Sequence, residues 1–197
     1  MAGEISRRTV IASAAIVPVA ALTAAAQAPP PSALSDAQLR LLAAFVDRII
    51  TKDELGSSAS ESGVPIYINR SLGDYLAGEK TAFIEGLEAT DAFAKRSQDR
   101  AFVDLTPEQQ DLVLTAMDNG SAEGFPTARA FFNRARRLTL EGMFGDPYYG
   151  GNKNFAGWDL IRYPGPRLAT SAADQKMGVE IQPYHHSAYG NPEPHGH

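Results

Sequence analysis

Between Glu141 and Arg167 the chain reads Glu-Gly-Met-Phe-Gly-Asp-Pro-Tyr-Tyr-Gly-Gly-Asn-Lys-Asn-Phe-Ala-Gly-Trp-Asp-Leu-Ile-Arg-Tyr-Pro-Gly-Pro-Arg. Glycine and proline recur too often here for an ordinary helix or strand, so the stretch is expected to be an ordered loop. Gly150, Gly151 and Asn152 supply residues that tolerate positive φ, and Asp146-Pro147 and Tyr163-Pro164-Gly165-Pro166 are turn formers. The rings of Phe144, Tyr148, Tyr149, Phe155, Trp158 and Tyr163 give such a loop something to pack with. Rigid aromatic side chains on a shaped loop make a binding surface, because each covers a large area while losing little rotamer freedom. The alternative is an Ω-loop that packs only on its own domain.

The remainder of the chain is read as the platform for that loop. Ser35 with Gln38 forms a capping box, and Leu39, Leu42, Ala43, Val46, Ile49 and Ile50 follow at helical spacing to about Thr51. Asp53 to Gly63 is polar and small, hence a loop. A second helix starts at Val64-Pro65, with Ile66, Ile68, Leu72, Tyr75 and Leu76 as apolar positions, and a third spans about Glu79 to Arg96. Ala101-Phe102-Val103 is expected as a short extended anchor. Thr106, Pro107 and Gln109 open a fourth helix that Asn119-Gly120 stops, and Thr127 to Gly142 is the fifth. Phe131, Phe132 and Leu138 of that helix should face the core, with Arg134, Arg136 and Arg137 on a solvated face. No run alternates as a strand, so the expected fold is all-α, about five helices in one domain over residues 35–167.

Residues 1–28 read as an export signal. Arg7 and Arg8 stand before the Ala-rich apolar run Ala12 to Ala26, and Ala24-Ala25-Ala26 is a small-residue cleavage site. The run is too weakly apolar for a permanent span. Twin-arginine export carries folded cargo, and this chain announces no nucleotide or dinucleotide loop. It therefore reads as a polypeptide that travels with a cofactor-bearing companion into the periplasm and supplies the address for both. Residues 29–34, with Pro29-Pro30-Pro31, form a stiff linker.

The sequence has no cysteine, which excludes disulfides, thiolate metal sites, iron–sulfur clusters and covalent c-type haem. A formal charge of −5 with no strong basic cluster argues against general nucleic-acid binding. All four histidines, His185, His186, His195 and His197, lie in an irregular arm over residues 168–197. They leave open a metal- or haem-binding module, although a Gly- and Pro-rich tail fixes no ligand geometry. Asp146 and Asp159 could serve as acid or base, but the commoner role for such residues is to cap local turns. No catalytic, cofactor-binding or metal-binding residue is assigned to this chain.

Asp146-Pro-Tyr-Tyr-Gly-Gly-Asn152, Gly157-Trp-Asp-Leu-Ile161 and Tyr163-Pro-Gly-Pro166 follow one another as in the gluconate 2-dehydrogenase subunit 3 family, which the chain resembles over roughly residues 35–167. Looser likeness continues through Ser62-Gly63-Val64 with Ile68 and Leu72, and through Leu105 to Gln110. The resemblance implies a small, non-catalytic subunit of an exported FAD-dependent dehydrogenase that oxidises a sugar, glycoside or sugar acid. It also implies a large flavoprotein partner of the glucose–methanol–choline type and a c-type cytochrome subunit, with membrane association through the complex. Tyr148, Tyr149, Trp158 and Tyr163 are then the expected contact anchors, and Gly150, Gly151 and Asn152 the residues that fix their loop. A free-standing periplasmic enzyme with a pocket lined by this loop is the rival from another class.

Overall fold

The computed structural model describes residues 32–167, 169–179 and 181–190. Arg7, Arg8, the three-proline linker, His195 and His197 lie outside the described residues. Among the described residues the architecture is all-α: α1 (Asp36–Ile49), α2 (Val64–Gly73), α3 (Lys80–Gln98), α4 (Pro107–Asn119), α5 (Ala128–Phe144) and the short α6 (Ala156–Leu160), with no strand.

Both capping boxes form. At the start of α1 the Gln38 N–H donates to Ser35 Oγ at 3.3 Å, and the Ser35 N–H donates to Gln38 Oε1 at 3.0 Å. Thr106 and Gln109 repeat the exchange at α4, at 3.4 and 3.1 Å, with Pro107 at the first helical position. Each exchange satisfies two of the donors that a helix start leaves without partners. The α4 end is set by Gly120 in the left-handed region, at φ +79°.

The core collects around Phe45 of α1, which is fully buried with ring centroids 5.9 to 6.3 Å from those of Phe102, Phe131 and Phe132. Leu42, Val46, Ile68, Leu72, Leu87, Val113, Met117 and Leu138 complete it. Each such side chain contributes about 1.5–3 kcal/mol through burial. Helix α5 touches each of the other four long helices. Its Phe131, Phe132 and Leu138 are buried as expected, and Phe131 lies against Gly86 of α3. Arg48 of α1 makes two 2.8 Å bonds to the Asp111 carboxylate of α4, and that hydrogen-bonded guanidinium holds the carboxyl below its usual range.

Several local expectations need correction. Phe102–Asp104 is a 3₁₀ turn rather than an extended anchor. No strand lies beside it to take its backbone groups, so Asp91 accepts the Phe102 N–H at 2.9 Å and the Gln110 side chain donates to its carbonyl at 3.0 Å. Ile66 and Tyr75 are exposed, because Ile66 lies off the buried stripe of α2 and Tyr75 lies beyond the helix end at Gly73. Arg134 does not stand on an open face: its side chain is 19% exposed and pairs with Glu79 at 2.6 Å. The segment 141–167 opens in the last turn of α5, which runs on to Phe144, and is an ordered loop only beyond it; it also encloses α6, where Ala156 to Leu160 has no proline and forms a turn of helix.

Candidate functional site

The last turn of α5 leaves carbonyls with no helical partner. The Gly145 N–H takes Glu141 O at 2.8 Å, the Trp158 indole N–H takes Phe144 O at 3.0 Å, and Asn152 Nδ2 takes Gly145 O at 2.8 Å. The other end of the Asn152 amide accepts the backbone N–H groups of Gly157 and Trp158 at 2.8 and 3.4 Å, the orphan donors where α6 begins. One fully buried amide thus joins the end of α5 to the start of α6. Asn152 occupies the left-handed region at φ +47°, which its short polar side chain tolerates, and Gly150 does so at φ +99°.

Gly151 answers a different need. A Cβ there would run into the Gly142 carbonyl, and one on Gly157 would run into the Met143 carbonyl, so the loop backbone rests directly on α5. The Lys153 N–H, donating to Ser62 O at 2.9 Å, fastens the same segment to the entrance of α2. Trp158 is 6% exposed and sits between Phe155 and Tyr163, at centroid distances of 5.3 and 4.9 Å. Its ring, expected on the outer contact face, is turned into its own domain because the indole N–H is needed at the α5 terminus.

Above this frame lies an exposed rim. Asp146 Oδ1 accepts the Tyr148 N–H at 2.9 Å, the local cap expected of it, and the turn presents Tyr148 and Tyr149 at 54% and 47% exposure. The irregular C-terminal arm folds back here over residues 181–190. Asp146 holds it by accepting from Ser187 Oγ at 2.6 Å and the Ala188 N–H at 2.9 Å. Tyr184 N–H donates to Pro164 O at 3.0 Å, and His185 stacks on Phe155 while lying 2.7 Å from Asp159. Tyr189 arrives against Tyr148, at 4.7 Å between centroids, and its hydroxyl accepts from Tyr149 at 3.3 Å. That hydrogen bond holds the Tyr149 phenol above its ordinary range.

Beside the rim an open groove of about 700 Å³ is lined by Tyr67, Tyr75, Leu140, Glu141, Phe144, Gly145, Asp146 and Tyr149. Tyr67 lies over Gly142, and its hydroxyl lies 2.9 Å from that of Tyr75 and donates to Glu141 Oε2 at 3.2 Å. Burial first, then the hydrogen bond with Tyr75, pushes the Tyr67 phenol well above its ordinary range and keeps it neutral.

The sequence-named residues therefore divide. Tyr148, Tyr149 and Tyr163 reach solvent, Gly150 is half-buried, and Gly151, Asn152 and Trp158 are interior. Tyr67, Tyr75, Leu140, Glu141 and Tyr189 were not singled out as site residues. Tyr67 and Leu140 lie on helices at ordinary helical spacing, Tyr75 was read as one more apolar position of the second helix, and Tyr189 is remote in the chain. Among the described residues no three of His, Asp and Glu converge where they could share a cation, and no helix is long and apolar enough to cross a membrane.

The family model for gluconate 2-dehydrogenase subunit 3 matches residues 36–165, which contain the five long helices, the Asn152 frame and the Tyr148–Tyr149 rim. Searches of curated proteins and of solved structures returned no match. With well over half of the chain matched, including the loop just described, this protein belongs to the gluconate 2-dehydrogenase subunit 3 family, an accessory subunit of a multi-subunit dehydrogenase complex.

Proposed function

We propose that this chain is the non-catalytic small subunit of an exported FAD-dependent dehydrogenase, and that it grips the flavoprotein through Tyr148, Tyr149 and Tyr189. The observation that carries the reading is the exposed tyrosine trio seated on a buried frame. Three adjoining phenol rings at the surface offer large apolar areas with few rotamers to freeze, the chemistry of an interface anchor. The fixed Asn152 amide keeps the rim from losing further entropy on binding. The partner is a flavoprotein of the glucose–methanol–choline type acting on a sugar, glycoside or sugar acid, and oxidation of a glycoside at its 3-hydroxyl is one candidate reaction. A c-type cytochrome subunit takes the electrons onward.

Export belongs to the same proposal. Arg7 and Arg8 provide a twin-arginine address, and the flavoprotein, folded around FAD in the cytoplasm, crosses to the periplasm bound to this chain. The test is the location of the flavoprotein when Arg7 and Arg8 are both replaced by Lys. Retention of both polypeptides in the cytoplasm is expected, and a flavoprotein that still reaches the periplasm would overturn the escort role.

A further inference from the structure

We propose that the groove beside the tyrosine rim receives an arginine side chain of the flavoprotein partner; the proposal rests on the reading that this face meets that subunit. The groove is apolar in its walls and acidic in its charge. Tyr67, Tyr75, Phe144 and Tyr149 supply four aromatic rings, and Glu141 and Asp146 supply two carboxylates, with no Lys or Arg among the lining residues. Aromatic faces attract cations through their quadrupole, and they attract a planar guanidinium more readily than a compact ammonium because the former stacks and is less strongly hydrated.

The two carboxylates are not equivalent. Asp146 is committed to the arm through Ser187 and Ala188 and contributes only its field. Glu141 is the group that can accept the guanidinium. Its Oε2 takes the Tyr67 hydroxyl at 3.2 Å, and its Oε1 faces Arg137 at 3.4 Å, a loose helical i,i+4 pair in which the arginine is 62% exposed. Exposed pairs of this kind contribute little, so Arg137 is a weak placeholder on the solvent side that an arginine arriving through the groove can displace. A guanidinium that reaches Glu141 between the rings is less hydrated than Arg137 is now, and its charge-assisted bonds gain accordingly. A wholly apolar occupant would leave the Tyr67 and Tyr75 hydroxyls and Glu141 to be desolvated without a new partner, which is why a basic side chain is chosen over a leucine or phenylalanine.

The test measures association of the intact chain with its purified flavoprotein by titration at low and high salt. Glu141→Gln keeps the shape and is expected to weaken binding on the order of tenfold and to flatten the salt dependence. Tyr75→Leu, which keeps an apolar wall but removes the ring face, is expected to weaken it severalfold, whereas Leu112→Ala on α4 should leave it unchanged. Arg137→Ala should bind at least as tightly as the wild type, since it removes the competitor. Circular dichroism confirms that each variant is folded, and Tyr75→Leu decides the matter if Glu141→Gln is not. Wild-type binding that Glu141→Gln and Tyr75→Leu leave within twofold, or that Arg137→Ala weakens, overturns the arginine while sparing the docking face. Failure of the wild type to bind at all overturns the docking face, and the arginine falls with it.

Discussion

Asn152 and Tyr149 are close neighbours in the chain, yet one is fully buried and the other 47% exposed. Around Asn152 helix-end carbonyls, helix-start N–H groups and one indole N–H find internal partners through or beside one amide. Around the Tyr149 side chain the contacts among the described residues are ring against ring, and its hydroxyl donates to another exposed phenol. A loop that existed merely to close the domain would need the first set and not the second. On the proposed reading, the difference separates what the loop does for its own fold from what it offers to the flavoprotein.

Substitutions can break that comparison, and the largest effects should fall on the frame. Trp158→Ala removes a buried ring and the donor to Phe144 O, and should destabilise the domain by about 3–5 kcal/mol in urea denaturation. A stability close to wild type, with association lost instead, would return Trp158 to the contact face. Asn152→Ala leaves a carbonyl and two N–H groups to find new partners, and should cost about 2–4 kcal/mol by the same measurement. Either loss is a large share of the roughly 5–15 kcal/mol that keeps a domain folded.

The rim should respond in the opposite sense. Tyr148→Ala combined with Tyr149→Ala is expected to leave the unfolding midpoint near wild type while weakening flavoprotein binding by about two orders of magnitude in titration calorimetry. A large loss of stability would show that the trio is part of the frame. The smallest effect concerns one hydroxyl. Because the hydrogen bond from Tyr149 to Tyr189 raises the Tyr149 phenol, Tyr189→Phe should move its ionisation back down toward the ordinary tyrosine range in an ultraviolet titration. An unchanged titration would mean that the arm does not hold Tyr189 against the rim.

Much of this was legible in the residues themselves. Ser35 with Gln38 and Thr106 with Gln109 are local signals that need no tertiary information, and both boxes form. The buried stripe of α5 was equally plain at Phe131, Phe132 and Leu138. The loop motif marked the place of the site, but not which way each ring would turn. Trp158 turns inward to serve a helix end that only the folded chain brings near, and composition cannot distinguish an aromatic that packs from one that protrudes. The arm was illegible for a related reason: Ser187 and Tyr189 have no periodicity, and they are held by Asp146 and Tyr148, both far away in sequence. The groove is a meeting of α2, α5 and the loop, so its walls carry ordinary helical spacing and no motif.

The most direct measurement is the flavin that accompanies this chain when it is isolated gently from its native cells. Flavin absorbance should co-elute with the wild-type chain and disappear from the fraction of a folded Tyr148→Ala, Tyr149→Ala variant. A wild-type chain that elutes with no flavoprotein, or a variant that keeps its flavin in full, would contradict the account.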